Sequence, residues 1–410
     1  MKVTIVNTQE IFGGAAIAAK RLYHGLREFG INTEYVVMNK STNENMVIGA
    51  LNKKERIFYR IRSFLEPLPI FGYRKKNSLF SVAWWSNRKL IKRLNKSDSD
   101  IIHLHWVNAG FLSVKDIGRI NKPVVITLHD MWYFTGGCHY SNGCQRFKQK
   151  CGKCPVLDSK FKFDISYYKK RQKQSVYTKN NVKFVALSRW IGKQFLASNI
   201  MPNAELRIIP NPLDLERYQS IPKIVARELL GLPQNKKVIM FGAVNSTADK
   251  RKGFKELTQA LNKLTLDENI MLVIFGTSEV KLSKKIEDKY DIRCLGFIND
   301  DLTLRISYSS ADLMIVPSLE ENLSNTIVES LACNTPVLSF DIGGNSDIIS
   351  HKHNGYLANY DETGNSLKDG IIYCLNNNIK LSQNCRTSIN SYFGQENVIP
   401  QYIKLYQSLL

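Results

Sequence analysis

The 410-residue chain is long enough to fold as two domains with substantial cores. Its 57 Lys and Arg exceed 36 Asp and Glu, and the formal charge of +21 implies an anionic partner, for which nucleotides, acidic lipid and nucleic acid all qualify. No apolar run approaches the roughly 20 residues that span a bilayer, and Asn7 and Glu10 interrupt the first apolar stretch too early for a secretory leader, so a cytoplasmic protein is expected.

Residues 2–7 read as a strand, 15–29 as a helix and 33–38 as a second strand, a Rossmann-like unit. Gly13-Gly14 ends the loop between the first two, and Ala15, Ala16, Ala18 and Ala19 let the helix approach the sheet closely. The loop lacks Gly-x-Gly-x-x-Gly, which disfavours a nicotinamide cofactor. Residues 53–96 carry 13 Lys and Arg against two acids, interleaved with aromatics such as Phe58, Phe64, Phe71, Trp84 and Trp85. That mixture suits an anionic membrane interface. No nucleic-acid motif accompanies it, so nucleic acid is not expected; a solvated helical face is the plainer alternative. Asp98-Ser99-Asp100 precedes the strand 101–106 and reads as a turn. His103 and His105 alternate on that strand, with His105 in the core or on a cleft wall. His129-Asp130 closes the next strand, 124–128, and another strand is expected at 182–187 before Ser188-Arg189-Trp190 opens a helix.

Cys138, Cys144, Cys151 and Cys154 fall within 17 residues. A reducing cytosol disfavours disulfides. Four thiolates could close a tetrahedral structural zinc site, with His139 able to replace one ligand; reduced packing cysteines are the alternative.

After a Pro-punctuated linker to about 234, a second strand and helix series starts at 237–242. Lys250-Arg251-Lys252-Gly253 then sets three cations at a helix start, where a fixed charge could stabilise a departing diphosphate. Strands follow at 271–276, 293–296 and 311–316, then a polar loop at 317–324 and a helix at 326–332. That order puts the loop at the carboxyl edge of a parallel sheet, and the helix start near Ser324 or Asn325 turns its free N–H groups toward any ligand there. Glu321 lies before the helix and Glu329 about one turn into it, so the two carboxylates face different parts of one ligand. Residues 398–410 read as a final helix.

The run from Pro317-Ser318 through Glu321-Asn322-Leu323, Glu329, Ala332-Cys333-Asn334-Thr335-Pro336-Val337 and Gly343-Gly344 resembles the nucleotide-sugar motif of retaining GT-B glycosyltransferases of the GT4 family. The resemblance implies an α/β, GT-B fold with two Rossmann-like domains facing across a cleft. Residues 1–214 would form the acceptor domain, with 393–410 packing back on it, and 215–392 the nucleotide-sugar domain. Glu321 corresponds to the carboxylate on the donor-sugar hydroxyls, Glu329 to the one on the ribose, and Lys252 to the family lysine. Ala243 stands where a companion arginine is usual, with Lys250 or Arg251 as its replacement. Asn322, Leu323, Ser324 and Asn325 continue the donor-binding loop, the Gly13-Gly14 loop faces the donor phosphates, and His129 lies near the reacting sugar. The cysteine-rich stretch after His-Asp resembles that of polysaccharide-assembly members of capsule, O-antigen and colanic-acid type.

The activity implied is retaining, metal-independent transfer from a nucleoside-diphosphate sugar to a glycan acceptor, lipid-linked and destined for a surface polysaccharide. No catalytic cofactor is implied, and the enzyme would sit peripherally on the inner face of the cell membrane. The acceptor hydroxyl would attack the face the diphosphate leaves, with the phosphate taking the proton. Competing readings are a catalytically silent GT-B scaffold for an anionic partner, an inverting GT-B enzyme, and a nucleotide-sugar epimerase.

Overall fold

The computed structural model describes residues 1–74, 78–179, 182–242, 249–265, 269–277, 280 and 282–410. The chain divides into two compact units: Met1–Pro212 with Val398–Leu410, and Leu213–Asn397.

Unit 1 holds a seven-stranded parallel sheet of β1 (Lys2–Gln9), β2 (Asn32–Asn39), β3 (Val47–Ile48), β4 (Ile101–Leu104), β5 (Val124–Leu128), β6 (Val182–Ala186) and β7 (Leu206–Ile208), in the order β3-β2-β1-β4-β5-β6-β7. Alternation along each strand sends neighbouring side chains to opposite faces. Val6, Val36, Ile102, Leu104 and Ile126 join one core. Val3, Ile5, Val37, Ile101 and Val125 join the other, beneath helix α1 (Gly14–Glu28) and the carboxyl-terminal helix Gln395–Gln407, through Leu22, Tyr23, Tyr402 and Tyr406. A sheet covered on both faces explains why the central strands read as almost unbroken apolar runs.

Unit 2 repeats the scheme with six parallel strands, β8 (Lys237–Gly242), β9 (Ile270–Phe275), β10 (Asp291–Gly296), β11 (Leu313–Val316), β12 (Val337–Phe340) and β13 (Gly355–Ala358), ordered β10-β9-β8-β11-β12-β13. Ile239, Phe241, Leu272, Ile274, Leu313, Ile315, Leu338 and Phe340 form the core on one face.

In each sheet the strand order reverses once, between β1 and β4 and between β8 and β11. Loops leaving the carboxyl ends of two such strands diverge and leave a crevice, the position where open α/β sheets bind ligands. The turn Asp98-Ser99-Asp100 lies at the opposite, amino edge, where Asp98 and Asp100 accept bonds from the Lys2 ammonium and backbone N–H, each at 2.6 Å.

Candidate active site

At the switch point of unit 2, the segment after β8 and the loop after β11 bring together the two residues with the strongest sequence signal. Lys252 Nζ donates to Glu321 Oε2 at 3.0 Å, both side chains half-buried. The Ser318 hydroxyl donates to the same oxygen at 3.3 Å.

Two glycines make this approach possible. Gly253 adopts φ +69°, and a Cβ there would lie 1.8 Å from the Pro317 carbonyl oxygen. Gly343, at φ +57°, would place a Cβ 1.7 Å from the Glu321 carbonyl oxygen, which also accepts the Gly344 N–H at 3.2 Å. Only glycine combines that backbone geometry with such close contact. The Leu319 N–H donates to the Arg251 carbonyl at 2.7 Å, tying the cationic turn to the loop. Arg251 pairs with Asp249 at 2.5 Å, and Lys250 is exposed. Ala243 lies outside the described residues.

Asn322, Leu323 and Ser324 are buried beneath the loop, and Asn325 opens the helix Asn325–Ala332. Its N-cap, Ser324, makes no side-chain capping bond, so the first-turn N–H groups are not satisfied from there. Glu329 is buried within this helix and accepts the Tyr308 hydroxyl on Oε2 at 2.8 Å. Burial beside that carboxylate pushes the Tyr308 phenol far above its usual range, so Tyr308 remains a donor. No spacing rule in the sequence connects Tyr308 with Glu329.

In unit 1, Gly13 (φ +90°) caps α1, and Gly14 begins it. The β1–α1 loop is braced by Glu10, a fully buried carboxylate that takes the Lys20 ammonium at 2.8 Å, the Ser41 and Thr42 N–H groups at 2.6 and 2.8 Å, and the Thr42 hydroxyl. Burial acts to raise its pKa, but these donors overcome it and hold the group at about 2.

His129 lies at the carboxyl end of β5, half-buried, its Nε2 2.8 Å from His105 Nδ1. One strand position away from the core of the opposite face, His103 bridges Tyr406 OH and Thr127 Oγ1, each at 2.8 Å. His105 Nε2 is buried with no partner among the described residues. Burial lowers all three histidines, His129 to about 4 against the opposing pull of Asp130, His103 to about 3 with the help of His129, and His105 well below its usual value with the help of both neighbours. They are therefore neutral at pH 7.

A folded-state pKa below the unfolded value near 6.5 means that the unfolded chain binds more protons as pH falls. Stability is then full above pH 6.5 and declines toward pH 4, by up to about 1.4 kcal/mol per pH unit for each buried histidine. Urea unfolding from pH 7 to 4 is expected to show that slope, and a shallower one in His105→Asn; identical slopes would refute the assignment.

Asp130 serves as a structural hub. It accepts from Trp106 Nε1 at 3.0 Å and Trp132 N at 2.8 Å, and lies 2.6 Å from His139 Nδ1. Despite burial, the neighbouring His139 and the Trp132 N–H keep it below the usual carboxylate range. His139 is thus engaged by Asp130 and Ser81 and does not complete a cysteine site.

The geometry of the described residues gives no support to the zinc centre that the cysteine spacing allows. Cys138, Cys144, Cys151 and Cys154 line one small hollow, but among the described residues no three His, Cys, Asp or Glu side chains are placed to share a metal ion. Cys138 and Cys154 instead pack with Ile70, Phe80, Val156 and Leu157. Cys138 and Cys154 interact closely enough to share a proton, which holds the Cys138 thiol above its usual range and Cys154 below.

Of the basic region 53–96, residues 75–77 lie outside the described residues. Helix α2 (Lys53–Leu65) is largely exposed, whereas helix Arg88–Lys96 buries Leu90, Ile91 and Leu94. No helix among the described residues is long and apolar enough to cross a membrane.

Comparison with known proteins agrees with this geometry. The family model described as Glycosyltransferase Family 4 matches residues 12–217, and that described as Glycosyl transferases group 1 matches 225–391. The chain is 23% identical to an uncharacterised glycosyltransferase of Methanocaldococcus jannaschii over 99% of its own length and 98% of the relative's. It is also 23% identical to WcaC of Escherichia coli, a glycosyl transferase provisionally assigned to colanic acid biosynthesis, over 75% and 76% of the two chains. The structure of HepE from Anabaena in complex with UDP superposes with a TM-score of 0.67 at 15% identity, covering 100% of both chains. With two parallel Rossmann-like sheets of the GT-B class and family models that account for both halves, the chain belongs to Glycosyltransferase Family 4.

Proposed function

We propose that the protein is a retaining, metal-independent glycosyltransferase that moves a sugar from a nucleoside diphosphate to a lipid-linked glycan acceptor in surface-polysaccharide assembly. The observation that carries this reading is the Lys252–Glu321 pair at the unit 2 switch point, on the loop that leads into the amino end of helix Asn325–Ala332. Negative charge accumulates on the β-phosphate as the anomeric C–O bond breaks. A fixed ammonium and a helix amino terminus both stabilise such charge without reorganisation. In this scheme Lys252, supported by Lys250 or Arg251, holds the diphosphate. Glu321 accepts hydroxyls of the transferred sugar, and Asn322, Leu323, Ser324 and Asn325 shape the loop around it.

Glu329 accepts the ribose hydroxyls. Gly13 and Gly14 bring backbone close to the phosphates, and neutral His129 offers a hydrogen bond to the transferred sugar or acceptor. The acceptor oxygen forms the new bond at the anomeric carbon while the bond to phosphate breaks, and its proton passes to the released phosphate. A carbohydrate acceptor is supported by the role assigned to WcaC, and a uridine nucleotide by the UDP bound to HepE.

Calorimetry with UDP, GDP, CDP and ADP in EDTA tests the donor half, and NMR of the product's anomeric centre tests retention. Micromolar binding of one diphosphate without metal is expected. Failure of all four to bind would remove the transferase reading in favour of a silent scaffold.

A further inference from the structure

The outer surface of unit 1 carries an apolar stripe with no core function. On α2, Tyr59 and Arg62 face inward, while Ile57, Ile61 and Phe64 face solvent, the last 83% exposed. Glu66, Pro67 and Phe71 keep right-handed helical angles beyond the helix end. Leu68 (57% exposed) and Phe71 (81%) therefore extend the stripe at spacings of four and three residues. Lys53, Lys54, Arg56 and Arg60 flank it, all exposed and in no ion pair among the described residues. The helix's single acid, Glu55, is already used by the Leu51 N–H and the Tyr59 hydroxyl.

A second segment, distant in sequence, meets the first. The Ile165 N–H donates to Tyr73 OH at 3.3 Å, and both residues pack on the cluster of Ile70, Val156 and Leu157. This segment exposes Phe161 (76%) and Phe163 (55%) beside exposed Lys160 and Lys162. Gly152 fixes its course, since a Cβ there would lie 2.1 Å from the Lys162 carbonyl oxygen.

We propose that residues 53–74 and 160–168 form one docking surface for an anionic lipid bilayer. Large apolar side chains ringed by cations insert among acyl chains while the cations meet anionic headgroups. Three of the five stripe residues are aliphatic and offer no stacking face for bases, which argues against single-stranded nucleic acid.

The inner face of α2 links this surface to the binding edge of the sheet. Arg62 Nε donates to Gly110 O at 2.6 Å, Ser63 Oγ donates to Ala109 O at 2.8 Å, and Tyr59 packs edge-on against Phe111 at 5.7 Å. Ala109 and Gly110, at φ +55° and +80°, form the loop leaving β4 at the switch point. Docking therefore holds the acceptor-side loop next to the bilayer, where a glycan whose lipid anchor stays embedded can reach it. That last step rests on the transferase reading; the docking itself does not.

Vesicle flotation tests it. The full chain is expected to float with phosphatidylglycerol vesicles, weakly with phosphatidylcholine, and less at about 0.5 M salt. Ile61→Glu/Phe64→Glu and, separately, Phe161→Glu should each reduce partition more than tenfold, while Ile379→Glu, which alters an equally exposed apolar side chain in unit 2, should not. Absence of flotation, equal partition of the variants and the parent, or binding to poly-uridine RNA but not to vesicles would overturn the proposal. Calorimetry with UDP, GDP, CDP and ADP on the same samples separates the two readings: if vesicles bind and none of the four diphosphates does, the docking surface stands and the transferase assignment falls.

Discussion

Replacing Lys252 with alanine is expected to lower kcat by roughly 10²- to 10³-fold while leaving the fold intact, the magnitude typical of losing one preorganised group at a developing oxyanion. The structural role of the same residue is too small to account for such a loss. Its pair with Glu321 is partly solvated, with side chains 26% and 15% exposed, and pairs of that kind contribute about 1 kcal/mol or less. The urea midpoint should therefore hardly move.

Lys252→Arg should recover only part of the rate, because a planar guanidinium cannot reproduce a compact ammonium at that spot. The double variant Lys252→Ala/Glu321→Gln should lose less than the sum of its parts, since each single change strands the other partner. Single-turnover rates at saturating donor, measured beside urea melts, give the comparison. A Lys252→Ala enzyme within a few-fold of the parent would show that the pair only holds the loop.

The parts of this site that were legible in the sequence are those fixed by local chemistry. A strand, a polar loop, a helix start and two carboxylates at set offsets can be read along one stretch of chain, and Glu321, Asn325 and Glu329 stand in the elements that reading assigned. The contacts between distant segments were not legible. Nothing near Lys252 in sequence indicates that its Nζ meets Glu321, and the Pro317–Gly253 approach appears only once β8 and β11 lie side by side.

The same limit explains the cysteines. Their spacing is compatible with a metal site, but the neighbours of each thiol come from outside the interval: Phe80 pairs with Cys138 by a backbone bridge and shares its apolar cluster. Two-residue β3 is too short to leave a periodic signal, and α2 combines an inward Arg62 with outward Ile57 and Phe64. That inversion hides the helix from any rule that assigns apolar residues to the core.

Glu329→Ala is expected to weaken nucleoside-diphosphate binding by about 10²-fold. Bonds from ribose hydroxyls to a charged acceptor contribute about 1.5–3 kcal/mol each, and loss of a vicinal pair at the lower end of that range is about 3 kcal/mol. Glu329 also accepts from Tyr308, so a loss of affinity could reflect a disturbed helix. Tyr308→Phe isolates that contribution: it removes the hydroxyl but keeps the carboxylate, and its effect on affinity should stay within a few-fold.

A second control uses the ligand. UDP that lacks both ribose hydroxyls cannot form the proposed bonds, so its already weak binding should be the same in parent and Glu329→Ala. Calorimetry of both ligands against the three proteins completes a cycle in which only the pairing of ribose hydroxyls with Glu329 couples the two changes. If the mutation weakens both ligands equally, Glu329 acts through the packing of helix Asn325–Ala332, and the ribose contact must lie elsewhere in the loop.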